Sequence, residues 1–584
     1  MVFGKYVNKY YLKYSYFYIL GIVALIAVDI YQLKIPEIIG DIVDQINNAT
    51  LTMDILNGYV KEFIIVIAVM FVGRFTWRIA IFGNGARVEA DLRRDLFKKC
   101  EQLSQSFYQE NKVGSLMALY TNDIQTMRES FGEGILLLID ATCLGSLAFI
   151  KMLKLNVKLT LIAIIPLIFL AIAALVVGKF MEKKYEIRQQ AYANLSDFSQ
   201  ESFSGLSVIK AFLKETEELK RFAKINKENM DKNIEFEKLS MLVNNLLFGV
   251  FIGSIFLVLF MVGTFLINDK VFEVGTLIQY ISYFDTLIWP MMAIANLISL
   301  HSRSKASLKR INNVFNSNID IKDSPNVITN HEIEGEITFN NLSFQYPLSN
   351  REVLSNISLT IPKGCSVGLI GRTGCGKSTL VELLMRIYNV KENEILIDGI
   401  DIMQLPVKEV RDAISYVPQD NFLFSDTIKN NIAFSKDIVD ENEIINASIN
   451  SDVDSNIKDF AEGYETVLGE RGVTVSGGQK QRISIARALL KDSQILILDD
   501  SVSAVDTKTE ETIINNLKRI RENKTTLLIA HRISTVKKMD RIIVMDEGKV
   551  IGYGTHDELE KNCKEYQNMV HLQRLEDEIG DDNE

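Results

Sequence analysis

The chain has 584 residues and a formal net charge of −10, from 64 basic and 74 acidic side chains. Hydrophobic residues make up 47% and mean hydropathy is +0.10, yet charged residues reach 24%, which excludes both a uniformly soluble chain and a bare membrane bundle. With 33 Gly and only 8 Pro it is neither collagen-like nor disordered, and the acidic balance disfavours a nucleic-acid binder that works by neutralising phosphates.

The opening residues set Lys5, Lys9 and Lys13 among tyrosines, with no acid through Ser15. This pattern predicts an interfacial amphipathic helix rather than a removable signal, and its positive charge places the N-terminus in the cytoplasm. Six stretches then read as spans, each near the roughly 20 apolar residues that a bilayer requires. Residues 159–178 and 242–268 are free of charge, and 274–300 contain only Asp285. Residues 17–33, 63–82 and 134–150 carry Asp29, Arg74 with Arg78, and Asp140. Acids inside spans are functional hypotheses by default. Asp29, Asp140 and Asp285 could attract a cationic amphiphile, or Asp29 and Asp140 could pair with Arg74 or Arg78 as structural bridges.

An even number of spans returns the second half to the cytoplasm, although Lys151, Lys154 and Lys158 then lie outside, against the usual charge bias. The connections at about 83–132 and 180–241 are long, charged and spaced like heptads, which predicts helices running on into the cytoplasm. Residues 316–335 are polar, include Pro325, and read as a linker. The five cysteines (Cys100, Cys143, Cys365, Cys375 and Cys563) are scattered, without the spacing of a metal site or disulfide framework.

Past the linker, alternating strands lead to an apolar run, S-V-G-L-I at 366–370, and then to G-R-T-G-C-G-K-S-T at 371–379. A strand, this glycine-rich turn and a following helix make a P-loop. Gly371, Gly374 and Gly376 let backbone N–H groups approach phosphates, and Arg372, Thr373, Cys375 and Thr379 complete the loop. Lys377 reaches the outer phosphates and Ser378 supplies a hydroxyl to Mg2+. Cys375 reads as filler at which a thiol reagent would block nucleotide. Downstream, I-L-I-L at 495–498 is a buried strand ending in Asp499, placed to hold Mg2+, and Asp500, where a general base would sit.

The S-G-G-Q at 476–479, followed by K-Q-R, resembles the signature motif of the ATP-binding cassette (ABC) family. Six spans ahead of one cassette resemble the family's exporter half-transporters, over essentially the whole chain. The implied fold is multidomain. A six-helix, all-α transmembrane domain (1–315) and a linker (316–335) precede an α/β P-loop nucleotide-binding domain (336–584). The implied cofactors are ATP and Mg2+. In isolation Tyr346 reads as surface packing and His531 as a helix cap. Their order relative to the P-loop instead makes Tyr346 similar to the adenine-stacking aromatic and His531 to the switch histidine on the γ-phosphate. Gln419 resembles the lid-loop glutamine that senses Mg2+, residues 467–472 the loop ahead of the signature, and S-A-V-D at 503–506 the loop exchanged across the dimer. Ser476, Gly477, Gly478 and Gln479 contact nucleotide across such a dimer.

One position departs from the family. Asp500 stands where Glu is usual, and its carboxylate falls short by roughly 1.5 Å, against the 2.6–3.2 Å reach that a general base needs. The resemblance is therefore to the degenerate-site subunit of heterodimeric bacterial multidrug exporters. It implies a weak site at this P-loop, an intact signature completing the site of a different chain that carries the glutamate, and a hydrophobic or cationic cargo. The implied setting is the inner (plasma) membrane with a cytoplasmic cassette. A slow homodimer, a lipid flippase and a nucleotide-gated regulator or channel remain open. In the family, short helices at the tips of the cytoplasmic extensions dock on the cassettes; 113–123 and 195–202 are the expected segments.

Overall fold

The computed structural model describes residues 3–242, 249, 251–268, 273–347, 349–469, 472 and 475–581. Two compact units emerge, Met1–Phe97 with Met117–Phe315, and Lys98–Leu116 with Asn316–Glu584.

The first unit is helical. Its opening helix, Asn8–Lys13, places Lys9 with Tyr10 and Lys13 with Tyr14 one turn apart. Asp91 and Asp95, also four residues apart, meet them from the helix Gly83–Glu101. Lys9 Nζ lies 2.5 Å from Asp95 and Lys13 Nζ 2.5 Å from Asp91, while Tyr10 and Tyr14 donate to the same carboxylates at 2.9 and 2.8 Å. The Lys/Tyr alternation is thus a two-rung ladder against a partner helix.

Among the described residues, four helical stretches are long and apolar enough to cross a membrane: Ser15–Asn47, Met53–Glu101, Val113–Leu155 and Val274–Asn316. The expected spans 159–178 and 242–268 fall on the helices Val157–Ser204 and Phe251–Asn268, with 243–248 and 250 outside the described residues. Val157–Ser204 has 48 residues, about 72 Å at 1.5 Å per residue, which exceeds a bilayer core of about 30 Å. Its outer end is tied to Glu215–Leu242 by Lys184–Glu235 at 3.1 Å and Arg188–Glu237 at 3.7 Å.

Two helices carry local irregularities that lie close together. A π-turn spans Asp140–Leu144, and Pro290 sits inside Val274–Asn316. Asp140 accepts a 2.8 Å hydrogen bond from Trp289 Nε1. The bridges to arginine that the sequence left open do not form. Arg74 reaches across to Gln32 on the helix Ser15–Gln32 at 3.5 Å, and Arg78 stacks on its neighbour Trp77 at 5.5 Å, so neither meets Asp29 or Asp140.

The second unit holds two sheets. One is antiparallel, in the order β2 (Glu352–Ile361), β1 (Ile337–Gln345), β4 (Ile395–Ile397), β5 (Ile400–Asp401). The other runs β10 (Lys549–Gly554), β9 (Arg541–Asp546), β3 (Ser366–Gly371), β8 (Thr525–Ile529), β7 (Ile495–Asp499), β6 (Ile414–Val417). All its pairings are parallel except β10 with β9. β3, β7 and β8 read as unbroken apolar runs because a parallel sheet is covered on both faces.

Residues 316–335 lie along this unit instead of hanging free. Arg386 is fully buried and donates to the carbonyls of Leu405 at 3.0 Å and Lys322 at 3.2 Å. Asp398 accepts the N–H groups of Glu334, Gly335 and Glu336 at 2.7, 3.0 and 2.8 Å. Segment 98–116 belongs to the same unit: Lys99 Nζ donates to Ser317 O at 2.7 Å, Ser104 to Asp320 at 2.8 Å, and Gln109 to Tyr388 Oη at 2.8 Å. The short helix Gln105–Glu110 carries the last of these bonds. The hydrogen bonds of this segment run through Lys99, Ser104 and Gln109, and residues 113–116 of the expected 113–123 fall in the same unit.

Replacing Arg386 with Met strands several buried carbonyls. The expected loss is about 3 kcal/mol, or roughly 6–12 °C in Tm, with new proteolytic cleavage within 316–335. Differential scanning calorimetry with limited proteolysis measures both.

Candidate functional site

The site is built at the carboxyl ends of the central strands. β3 stops at Gly371, and the helix Lys377–Leu384 starts from Gly376 at φ +99°. A Cβ on Gly371 would stand 2.2 Å from the Met545 carbonyl oxygen of β9, so only glycine passes there. Lys377 is 7% exposed, and its ammonium donates to the carbonyls of Gly371 at 2.9 Å and Arg372 at 3.1 Å. No ion pair to Lys377 occurs among the described residues. A buried cation held only by neutral carbonyls, beside a helix N-terminus, suits an incoming phosphate.

A cleft of about 310 Å³ opens here. It is lined by Tyr346, Val353, Thr373, Gly374, Gly376, Lys377, Ser378, Thr379, Gln419, Asp499, Asp500, Ile529 and His531. Residues from 346 to 531 therefore converge on one surface. β7 is not adjacent to β3; β8 runs between them, and Asp499 pairs in register with Ile529. His531 follows two residues beyond β8, on the same rim.

Burial holds Asp499 above the usual carboxylate range, offset in part by a hydrogen bond from Ser378, and Asp500 beside it raises it further. Tyr416 Oη approaches Asp499 at 3.4 Å. The hydroxyl of Ser378, the amide of Gln419 and the carboxylate of Asp499 are hard oxygen donors, as Mg2+ requires. A carboxylate that resists ionising in the nucleotide-free protein is suited to a cation that arrives with nucleotide.

Asp500 has φ +46°, a left-handed backbone that Asp tolerates better than most residues. Its N–H donates to Ile529 O at 3.0 Å, and its carbonyl accepts from Ser503 Oγ at 2.9 Å and Gln481 Nε2 at 3.5 Å. The backbone is fixed from both sides, so side-chain length alone sets how far the carboxylate reaches.

Three predicted loop residues do not line the cleft with the rest. Arg372 pairs with Glu565 at 2.6 Å, Gly371 faces β9, and Cys375 is 4% exposed in the cassette core. Burial pushes the Cys375 thiol up, which opposes its expected sensitivity to thiol reagents. Ser476–Gln479 also lie off this cleft. Ser476 caps the helix Gly477–Lys491: its Oγ accepts Gln479 N–H at 3.2 Å, and Gln479 Oε1 accepts Ser476 N–H at 2.9 Å. The signature is therefore also a capping box, which satisfies the N–H groups of Ser476 and Gln479 and fixes the first turn. Asp506 caps the next helix, Thr507–Ile520, through a 3.0 Å bond from Thr509 N–H. Glu470 and Arg471, within the loop expected ahead of the signature, lie outside the described residues.

Sequence reasoning missed several neighbours. Tyr346 Oη meets Thr379 at 2.8 Å and Glu382 at 3.1 Å, and its ring lies edge-on to Tyr388 at 5.2 Å. Burial foremost pushes Tyr346 up to about 12. Thr379 and Glu382 share a helix face at i, i+3, which was the available signal. Gln481 joins the signature helix to the Asp500 loop, since its Oε1 also accepts Ala504 N–H at 3.0 Å. Gly478 explains the closeness: a Cβ there would stand 3.0 Å from the Ala504 carbonyl.

Comparison with known proteins agrees with this geometry. The model of the ABC transporter transmembrane region matches residues 18–291, and that of the ABC transporter domain matches 354–503. A probable multidrug resistance ABC transporter ATP-binding/permease protein, YheI of Bacillus subtilis, is 36% identical over 98% of this chain and 97% of its own length. The multidrug resistance-like ATP-binding protein MdlA of Escherichia coli is 32% identical over 96% and 95%. An ATP-dependent lipid A-core flippase of Syntrophus aciditrophicus is 34% identical over 85% and 82%. The structure of a bacterial Atm1-family ABC exporter with ATP bound shares the fold, with TM-score 0.77 and 24% identity over 97% of this chain and 98% of that one.

Because Asp499 sits above its ordinary value, the nucleotide-free cassette loses stability as pH rises from that ordinary value through the raised one. Asp499→Asn removes this loss. At pH 7–8 its nucleotide-free form should melt about 2–4 °C above wild type, on the order of 1 kcal/mol, and the gain should vanish near pH 4. The same variant should lose Mg2+-dependent ATP hydrolysis. Thermal melts across pH with an ATPase assay check both.

Proposed function

The chain belongs to the ABC transporters, an ATP-hydrolysing domain joined to a transmembrane region in one polypeptide, and from that premise we propose that it is one half of a heterodimeric multidrug exporter. Asp500 carries this reading. Its backbone is fixed by Ile529, Ser503 and Gln481, so the missing methylene has no compensation, while the signature helix keeps its complete capping box. A degraded base beside a preserved signature suits a subunit whose own P-loop site is slow and whose signature serves a partner bearing a glutamate. Tyr346, the 371–379 loop and Ser476–Gln479 of the facing chain would bind ATP. Lys377, Gln419 and His531 would contact the outer phosphates, and Asp500 would orient water poorly. Mg2+, when bound by Ser378, Gln419 and Asp499, neutralises phosphate charge.

The assignment includes six spans within 1–315, a connecting segment 316–335 and a cassette at 336–584 that faces the cytoplasm across the inner (plasma) membrane. Segment 98–116, bonded to the cassette through Gln109 and Tyr388, would pass nucleotide-driven movement to the spans. The cargo class is hydrophobic or cationic amphiphiles, in keeping with relatives named for multidrug resistance. The relative named as a lipid A-core flippase favours lipid as the second reading.

The first test is the native mass of the complex extracted from its own membrane. A second, different chain is expected; two copies of this 66.2 kDa chain alone would refute the heterodimer. In the assembled transporter, Asp500→Glu should raise hydrolysis at this chain's site about 10–100-fold, measured with the partner's glutamate replaced by Gln. An unchanged rate would mean that reach is not what limits the site.

A further inference from the structure

We propose that Asp29 and Asp140 form a binding point for the cationic head of the cargo, and that the pair holds an exchangeable proton there when no cargo is bound. This rests on the exporter reading and names the chemistry of its cargo site. Asp29 lies on the helix Ser15–Gln32 and is 3% exposed; Asp140 opens the π-turn Asp140–Leu144 and is 7% exposed. Asp29 Oδ2 is buried without a hydrogen-bond partner. The helix that carries Asp29 packs on the turn that Asp140 opens, the Cys143 thiol of that turn lies against Asp29, and the charge of Asp140 acts on Asp29. Trp289 is the third member, its indole N–H donating to Asp140 at 2.8 Å while the side chain stays 44% exposed.

Among the described residues, no lysine or arginine of the surrounding helices pairs with Asp29 or Asp140. Arg74 reaches Gln32, Arg78 stacks on Trp77, Lys34 bonds Glu62 at 3.2 Å and Lys151 bonds Glu37 at 2.8 Å. Asp285, on the helix that carries Trp289, is exposed. A carboxylate removed from water must be neutralised by a proton or a cation. Two of them side by side, with one oxygen unpartnered, ask for both in turn. When a monovalent organic cation enters, one carboxyl gives up its proton to solvent and its carboxylate pairs with the cation. Net charge at the site is unchanged. Trp289 offers the aromatic face that best attracts such a head group.

The surrounding backbone is irregular. A π-turn is a common functional irregularity in a helix, and here it packs beside Pro290: a Cβ on Gly145 would stand 3.2 Å from the proline ring.

The test uses the intact transporter in nanodiscs, without nucleotide, titrated with tetraphenylphosphonium in weakly buffered medium. About one proton should be released per cation bound. Apparent affinity should rise with pH, by up to tenfold per unit across the range where the pair titrates. Asp29→Asn and Asp140→Asn should each abolish release and weaken binding at least tenfold, Asp29→Glu should keep release, and Asp285→Asn should match wild type. Binding without proton release, binding independent of pH, or no binding at all overturns the proposal, and the wild-type measurement needs no variant to fold. Proteoliposomes separate this from the wider reading. ATP-driven uptake of an uncharged hydrophobic dye, with no proton released by the cation, leaves an exporter and removes this site. Failure to pump any cargo with ATP refutes the exporter reading, while measured proton release would still establish the site.

Discussion

Asp499 is kept out of water at the end of β7, and the hydroxyls of Ser378 and Tyr416 offset only part of that burial. Much of the cassette follows from this one constraint. A carboxylate held above its usual range is a poor resident charge but a good receiver for a metal ion delivered with phosphates. Lys377, on the same cleft, presents the complementary problem, as a buried ammonium that donates to the carbonyls of Gly371 and Arg372. The nucleotide-free cleft thus stores two incompletely compensated charges, and a magnesium-bound triphosphate supplies the opposite sign to each.

The same logic recurs among the helices. Asp29 and Asp140 are also removed from water, in a unit where neighbouring cations are committed elsewhere. In both places the protein leaves a charge for a visiting molecule to neutralise, so occupancy changes the energy of the site itself.

Around Asp500 the constraint is steric. The left-handed backbone, the bond to Ile529, and the bonds from Ser503 and Gln481 fix the backbone of Asp500, so the length of the side chain bounds its reach. Gln481 also accepts from Ala504, so the signature helix and the loop after β7 are tied together. Gln479 is spent inside its own capping box. A sequence reader sees S-G-G-Q and K-Q-R as one motif, whereas the structure divides it into a cap and a strut.

By itself the sequence determined the architecture and the nucleotide chemistry. Apolar runs of span length and a strand–glycine turn–helix pattern are local, and each residue's role is set by neighbours within about ten positions. It also marked Asp500, because one methylene is legible in any alignment of roles to positions. What only the tertiary structure decided were the pairings between distant segments. Examples are Gln109 with Tyr388, Arg386 with the 316–335 backbone, and β8 interposed between the P-loop strand and Asp499. The choice between arginine bridges and an unpaired acid for Asp29 was of the same kind. Spacing alone allowed both, and the partners that Arg74 and Arg78 take settled it, Gln32 for one and the Trp77 ring for the other, since a side chain's bearing depends on packing that no single segment encodes.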